Sequence, residues 1–312
     1  MSATAIEDGF KIAVLIPCQN QAETIGGIVR GFAEALPSAK IFVFDNNSTD
    51  DTARAATREG ARVYREAQDG KGNVVRRMFA DIDADIYVLA EGDGSYDPAD
   101  APSLVNALVT EHVDMVIGTR RGARSRHRAR QKSGQRAFDW LYRRFFSGAS
   151  SDIASGYRAF TRRFVKSFPA ISTGFDVGIE LSMHANQLMI PVAEIELGEG
   201  RSESRTKPPG IGDALHAAMM LGALVRETRP FAFYAAFATI FWVIGLTLMA
   251  PILTASLESE ALASFSNAFI GMSMLLAGFI LAGCGLVLEA LGRSRVEQKR
   301  ILFLTVPGLG AQ

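Results

Sequence analysis

Two uncharged stretches limit most tightly what this chain can fold into. Phe231–Leu257 and Leu262–Leu288 each run 27 residues without Asp, Glu, Lys or Arg, longer than the roughly 20 apolar residues a helix needs to cross a bilayer. Core helices of water-soluble domains rarely run so far uncharged. The pair reads as a membrane hairpin. The link between them carries Glu258 and Glu260 and no base, while Arg226 and Arg229 precede the first run and Arg293, Arg295, Lys299 and Arg300 follow the second. The positive-inside rule then puts both flanks in the cytosol and the acidic link outside.

Upstream, apolar runs alternate with helical patterns. Ile12–Pro17, Ile41–Phe44, Ala61–Tyr64, Asp85–Ala90 and Val113–Gly118 read as buried strands. Helical spacing follows the first from Ala22, through Ile25, Ile28, Val29, Phe32 and Leu36. Further helices are expected through Ala55–Glu59 (capped by Ser48 or Asp50), after Gly70-Lys71-Gly72-Asn73, and over Pro102–Val109. The alternation predicts an α/β fold with an open, mostly parallel sheet. The first strand-to-helix turn lacks Gly-x-Gly-x-x-Gly, which speaks against a dinucleotide-binding oxidoreductase, and Gly70-Lys71-Gly72 lacks P-loop spacing.

The chemistry concentrates where the Asp85 strand ends. Glu91-Gly92-Asp93-Gly94-Ser95-Tyr96-Asp97-Pro98 sets three carboxylates within seven residues. Acids at the carboxyl end of an α/β strand face the crevice where such sheets bind ligands. Mg²⁺ or Mn²⁺ suits that place, held by one or two carboxylates and substrate phosphate oxygens. The same acids would also suit a turn capping the helix that begins near Asp100.

Net charge is zero, so the whole chain has no bias toward nucleic acid, yet Arg120–Arg144 carries ten Arg or Lys against the single acid Asp139. Cys18 and Cys284 stand far apart, as in a reducing compartment. Ser2–Asp8 is short, polar and acidic, without a signal-peptide pattern. Two segments suit a headgroup layer: Ile211–Val225, apolar around most of its circumference, and Gly134–Phe146, where aromatics alternate with arginines. The second reads equally as an amphipathic helix on the sheet.

Together these motifs resemble the family-2 glycosyltransferases of the polyprenyl-phosphate type, relatives of dolichol-phosphate mannosyltransferase. Ile16-Pro17-Cys18-Gln19-Asn20-Gln21 is similar to that family's Ile-Pro-x-x-Asn-Glu, and Asp45-Asn46-Asn47-Ser48-Thr49-Asp50 to its Asp-Asp-Gly-Ser-x-Asp. Gly70-Lys71-Gly72 matches Gly-Lys-Gly, and Glu91-Gly92-Asp93 stands at the Asp-x-Asp metal motif. Gly118-Thr119-Arg120 matches Gly-Ser-Arg, Asp152 with Ser155-Gly156-Tyr157-Arg158 matches Asp-x-x-Ser-Gly-Phe-Arg, and Arg201 to Lys207 matches the Arg…Ser-Lys segment. Gln21 replaces a usual Glu, Gln19 a common aromatic, and Glu91 the first Asp.

The resemblance implies a GT-A fold, Rossmann-like, over residues 1–210. A juxtamembrane amphipathic helix over 211–230, a transmembrane hairpin over 231–291 and a cytosolic tail over 292–312 would follow. It implies inverting, metal-dependent sugar transfer from a UDP- or GDP-linked donor to a membrane polyprenyl phosphate, for cell-envelope glycan or lipopolysaccharide modification. The donor set would be Pro17, Gln19, Gln21, Asp45, Asn47, Lys71, Glu91, Gly92, Asp93, Arg201 and Lys207. Glu91, Asp93 and Ser95 would serve Mg²⁺ or Mn²⁺, and Arg120, Lys132 and Arg136 the acceptor phosphate; Asp93, Asp152 and Arg120 would carry the chemistry. Partners would be the nucleotide sugar, the lipid phosphate and the bilayer, not nucleic acid, with a homo-oligomer compatible. The expected location is the inner (cytoplasmic) membrane, multi-pass, with both termini cytosolic. Transfer to a diacylglycerol-type lipid, which would need a general base and less positive charge, and a weakly catalytic nucleotide-sugar-binding scaffold are the competing readings.

Overall fold

The computed structural model describes residues 9–120, 155–169, 177–198, 226, 229–255 and 261–310, the side chains of 120, 251–255 and 261–266 excepted. The chain divides into two compact units, one of residues 1–206 with 299–312 and one of residues 207–298.

In the first unit, strands β1 (Ile12–Cys18), β2 (Lys40–Asp45), β3 (Arg62–Arg65), β4 (Ile86–Leu89), β5 (Met115–Arg120), β6 (Arg158–Thr161) and β7 (Val192–Leu197) form one sheet in the order β3-β2-β1-β4-β6-β5-β7. All neighbours are parallel except β6, which runs antiparallel between β4 and β5. The fold is a mostly parallel, Rossmann-like sheet, as the strand–helix alternation predicts. The antiparallel β6 and the edge strand β7 have no counterpart in that sequence reading. β6 is four residues long and carries Arg158, while β7 alternates exposed and buried residues instead of running apolar throughout.

The central strands are apolar throughout because both faces are covered. Ile12, Val14 and Ile16 of β1 join Ile86 and Val88 of β4 on one face, under helices α1 (Ala22–Ala35) and α4 (Ala101–Thr110). Ala13 and Leu15 join Tyr87 and Leu89 on the other, under α3 (Lys71–Asp81), α5 (Arg162–Ser167) and α6 (Val177–Leu188). Leu15 is fully buried, so Leu15→Ala would cost about 2–5 kcal/mol. Helix α2 (Thr52–Arg58) follows β2; its N-cap position is Asp51, without a side-chain cap bond, and not the expected Ser48 or Asp50, although Asp50 Oδ1 accepts the Thr52 N–H at 3.0 Å from one residue further out.

Helix α7 (Pro230–Ala255) and most of α8 (Ala261–Thr305) make up what is described of the second unit. They pack antiparallel, with Gly271, Gly278 and Gly285 of α8 spaced seven apart, two turns each time, so that all three face α7. A Cβ at Gly271 would meet Met249 and the Gly245 carbonyl, one at Gly278 the Trp242 ring, and one at Gly285 Tyr234 and the Phe231 backbone. Small residues let the two backbones approach, the mode by which helices associate in lipid. Leu246, Phe269, Leu276 and Phe279 point outward, exposed. Both helices are long and apolar enough to cross a membrane. The expected juxtamembrane helix lies almost wholly outside the described residues.

Candidate active site

In a parallel sheet the loops after the strands gather at one end, and the crevice opens where strand order reverses, here between β1 and β4. Two of these loops are laced together. The Asn20 N–H donates to Ser48 Oγ (2.9 Å), Gln21 N–H to Thr52 Oγ1 (2.8 Å), Ala22 N–H to Asp50 Oδ2 (3.1 Å) and Thr49 N–H to Asn20 Oδ1 (2.8 Å). Asn20 and Asn47 adopt positive φ (53° and 57°), a conformation Asn tolerates better than other side chains. Buried Asn46 then ties β2 to the loop before α3. Its amide donates to the Glu66 and Gln68 carbonyls, and its Oδ1 accepts the Gly70 N–H at 3.0 Å. Lys71 is thereby delivered to the carboxyl end of the sheet.

The acidic turn after β4 faces this frame. Thr24 Oγ1 donates to the Gly92 carbonyl at 2.7 Å, and Gln21 lies so close that any Cβ at Gly92 would overlap its amide oxygen. That oxygen, Gln21 Oε1, is buried without a hydrogen-bond partner among the described residues. Asp93 accepts Ser95 N–H at Oδ1 (2.9 Å) and Ser95 Oγ–H at Oδ2 (2.6 Å). These neutral donors fix the carboxylate, and among the described residues no cation matches its charge. Glu91 differs: its Oε1 pairs with Lys71 Nζ at 2.5 Å, both side chains about a quarter exposed.

Gly156 makes room for Glu91. A Cβ at 156 would overlap the Glu91 Oε1, Cδ and Cγ atoms. The rest of that motif is scaffolding. Ser155 Oγ donates to the Gly118 carbonyl (2.6 Å), the Gly156 N–H donates to Tyr96 Oη (3.1 Å), and fully buried Arg158 donates to Ser155 O (2.9 Å) and Ser182 Oγ (3.0 Å).

The structure thus brings Pro17, Gln19, Gln21, Asp45, Asn47, Lys71, Glu91, Gly92, Asp93 and Ser95 to the carboxyl end of the sheet, with Arg120 closing β5 at that end. Asn47 is already engaged, its amide donating to Ala67 O (2.9 Å) and Asp69 Oδ1 (2.7 Å). Asp152, Lys132, Arg136, Arg201 and Lys207 lie outside the described residues. Asn46 and Gly156 stand inside the quoted motifs but received no role of their own there, and Thr24 lies outside every motif. Thr24 stands three residues, one helical turn, beyond Gln21, and that spacing was its one available signal.

Among the described residues no three His, Cys, Asp or Glu side chains converge as a ready-made metal cage. Glu91 and Asp93 fit the alternative that Mg²⁺ and Mn²⁺ prefer, one or two hard carboxylates completed by phosphate oxygens. Cys18 is no part of such a set. Burial above all, then the charges of Asp45 and Asp50, pushes its thiol up to about 12, and its Sγ–H donates to Phe44 O. It stays protonated and inert.

Acids at the opposite, amino end of the strands are consumed by the protein itself. Asp114 is 2% exposed and takes Arg163 through both oxygens (2.5 and 2.6 Å) and Thr161 Oγ1 at 2.7 Å. Arg162 pairs with Asp83 at 2.9 Å, and Asp85 Oδ2 accepts the Lys11 N–H at 2.9 Å. The last residues of α8 close this end. Lys299 and Arg300 donate to Gln187 Oε1 (2.8 Å) and O (2.9 Å), and Phe303 is buried with Arg163 4.7 Å over its ring.

Residues 13–168, half of the chain, match the family described as Glycosyl transferase family 2. Protein RfbJ of Shigella flexneri is 50% identical over 111 residues, covering 36% of this chain and 86% of that one. Glycosyltransferase AglJ of Haloferax volcanii is 28% identical over 305 residues (92% and 97%). An undecaprenyl-phosphate mannosyltransferase of Micrococcus luteus is 27% identical over 215 residues (62% and 87%). Among solved structures, glucosyl-3-phosphoglycerate synthase of Mycobacterium tuberculosis, crystallised with Mn²⁺, UDP-glucose and glycerol 3-phosphate, superposes with a TM-score of 0.57 at 24% identity. It covers 72% of this chain and 82% of that one. At that identity the likeness speaks for the fold, a GT-A sheet.

Proposed function

The chain belongs to glycosyl transferase family 2, and from that premise we propose that it moves a sugar from a UDP- or GDP-linked donor to a membrane polyprenyl phosphate, with inversion. The observation that carries this reading is the acidic turn Glu91-Gly92-Asp93, beside Lys71 at the β1/β4 crevice, in a chain with two helices of bilayer-spanning length. The mannosyltransferase named for undecaprenyl phosphate supports the acceptor class.

In the reaction an oxygen of the acceptor phosphate attacks the anomeric carbon, and the bond from that carbon to the diphosphate breaks, releasing the nucleoside diphosphate. The acceptor is already an anion at neutral pH, so no strong general base is required. A divalent cation, when bound, supplies Lewis-acid neutralisation of the leaving diphosphate. Asp93, fixed by Ser95, and Glu91 are the residues that would hold it. Lys71, with Arg201 and Lys207 by resemblance, would carry diphosphate charge. Arg120, Lys132 and Arg136 would orient the acceptor phosphate against repulsion from the donor, since guanidinium forks pair with phosphate oxygens. Asp152 would orient the acceptor or the sugar, and the loops from Pro17 to Gln21 and from Asp45 to Asn47 would receive base and ribose.

The hairpin supplies the second substrate. A polyprenyl chain leaves the bilayer only at a cost of about 0.8 kcal/mol per CH₂. A catalytic unit anchored on the cytosolic face of the inner membrane, both termini cytosolic, meets it there at raised effective concentration. The test is transfer by the full-length protein in nanodiscs holding undecaprenyl phosphate, with Mg²⁺ or Mn²⁺ and a panel of labelled UDP- and GDP-sugars. One donor should yield a lipid-linked product that Asp93→Asn does not form. Product formation on diacylglycerol alone would overturn the acceptor assignment.

A further inference from the structure

The two acids of the turn have unlike partners. Asp93 is held by two neutral donors from one serine. Glu91 is held by a full positive charge, Lys71 Nζ at 2.5 Å, and its side chain is packed flat over Gly156. One methylene longer than an aspartate, it reaches across to the first residue of α3 while its stem fills the space that glycine leaves. Lys71 is itself steered there, because Asn46 Oδ1 holds the Gly70 N–H and Gly70 has a φ of 115°. The free protein thus has one carboxylate of the turn already neutralised.

We propose that Lys71 and a divalent cation compete for Glu91, and that the diphosphate of the incoming nucleotide resolves the competition by drawing Lys71 to itself. This rests on the donor and metal reading above. The physical basis is charge. An ammonium and a divalent cation on the same carboxylate repel each other, so without nucleotide the cation must displace Lys71 or bind to Asp93 alone. A nucleotide diphosphate offers Lys71 several anionic oxygens and charge-assisted hydrogen bonds in place of one carboxylate. Glu91 is then released to the cation as the nucleotide arrives. Linkage makes the effect reciprocal: whatever nucleotide does for the cation, the cation does for nucleotide. Lys71 is here a positioning residue for the donor complex, and the catalytic unit takes cation and nucleotide together rather than either alone.

The experiment measures Mn²⁺ binding directly, by electron paramagnetic resonance of free Mn²⁺ over the full-length protein in nanodiscs, without nucleotide and then with UDP or GDP. Lys71→Met should bind Mn²⁺ without nucleotide about fivefold more tightly than wild type, the scale of one partly exposed ion pair, while Lys71→Arg stays at the wild-type value. Nucleotide should tighten Mn²⁺ binding less in Lys71→Met than in wild type. With Glu91→Gln in the background, Lys71→Met should bring no gain, which assigns the effect to this pair. Should Lys71→Met not fold, Lys71→Gln carries the same expectation. Unchanged or weaker nucleotide-free Mn²⁺ binding in Lys71→Met and Lys71→Gln overturns the competition. If wild type binds no Mn²⁺ even when UDP or GDP is present, the donor reading falls along with the competition. If wild type binds the pair and only the gain is missing, the competition alone falls.

Discussion

The two ends of the sheet use the same residue types to opposite effect. At the amino end Asp114, Asp83 and Asp85 meet Arg163, Arg162 and the Lys11 N–H, and residues 299–310 cover that end. At the carboxyl end, among the described residues, Asp93 has only a serine, Gln21 Oε1 has no partner, and Glu91 has a lysine that a phosphate could take away. Both ends are acid-rich, so counting carboxylates does not separate them. What separates them is whether the fold has used up each group's charge and lone pairs. An acid fully matched by its own chain belongs to stability, and one fixed but unmatched is free for a ligand.

That contrast can be broken at either end. The largest effect should come from Asp93→Asn, with transfer falling roughly hundredfold or more, the scale of losing one group that stabilises developing charge. Its thermal melt should stay within a degree or two of wild type. A melt shifted as far as the activity would erase the distinction. Asp114→Ala should do the reverse. It leaves Arg163 without its carboxylate and costs about 3 kcal/mol, the low end for breaking a buried pair, because Arg163 is about one-third exposed. Donor KM should not move, and chemical denaturation with parallel kinetics checks both halves.

A smaller effect belongs to His184, 1% exposed between the Phe164 and Phe168 rings with Nε2 on Ser167 Oγ at 2.9 Å. Burial, and then the charge of Lys299, lowers its pKa to about 3 from 6.5. Since the folded value lies below the unfolded one, the unfolded chain binds the extra proton. The neutral ring's contribution is whole above about pH 6.5 and declines as pH falls toward 3. Between pH 6.5 and 5 the loss should be about 2 kcal/mol. His184→Gln should flatten that stretch of the stability profile; an unchanged slope would show the proton going elsewhere. Smallest of all, Arg30→Ala removes a solvent-screened surface pair with Glu59 and should leave the thermal midpoint essentially where it is in wild type. A larger change there would mean that surface pairs count for more in this fold than the amino-end network suggests.

Much of this was legible beforehand, for identifiable reasons. Ile12–Pro17 and Asp85–Ala90 read as strands because a strand buried on both faces is apolar at every position. The acid turn read as a site from its place after such a strand, and the capping alternative holds for one of its three carboxylates, Asp97, whose Oδ1 accepts the Ala99 N–H at 3.0 Å. β6 was not legible: four residues, one of them a buried arginine whose charge is met by Ser155 and Ser182, carry no strand period. Nor was the pairing of Lys71 with Glu91. Twenty residues separate them, and only the sheet order β3-β2-β1-β4 with the Asn46 tie brings α3 round to β4. The motifs told which residues gather, but not which of them would already be neutralised.

The burial of Phe303 against Arg163 has a consequence for how the protein is made. Catalytic domains generally fold as units while the ribosome is still adding chain. Here the residues that finish packing against α5 and α6 are in the last turns of α8, synthesised after both uncharged stretches. The sheet can assemble early, but its amino end waits, with the Arg163 guanidinium and the neighbouring aromatic face uncovered, until 230–298 has been translated. Completion of the sheet-bearing unit thereby follows synthesis of both apolar stretches, so a chain arrested within them would carry an unfinished domain.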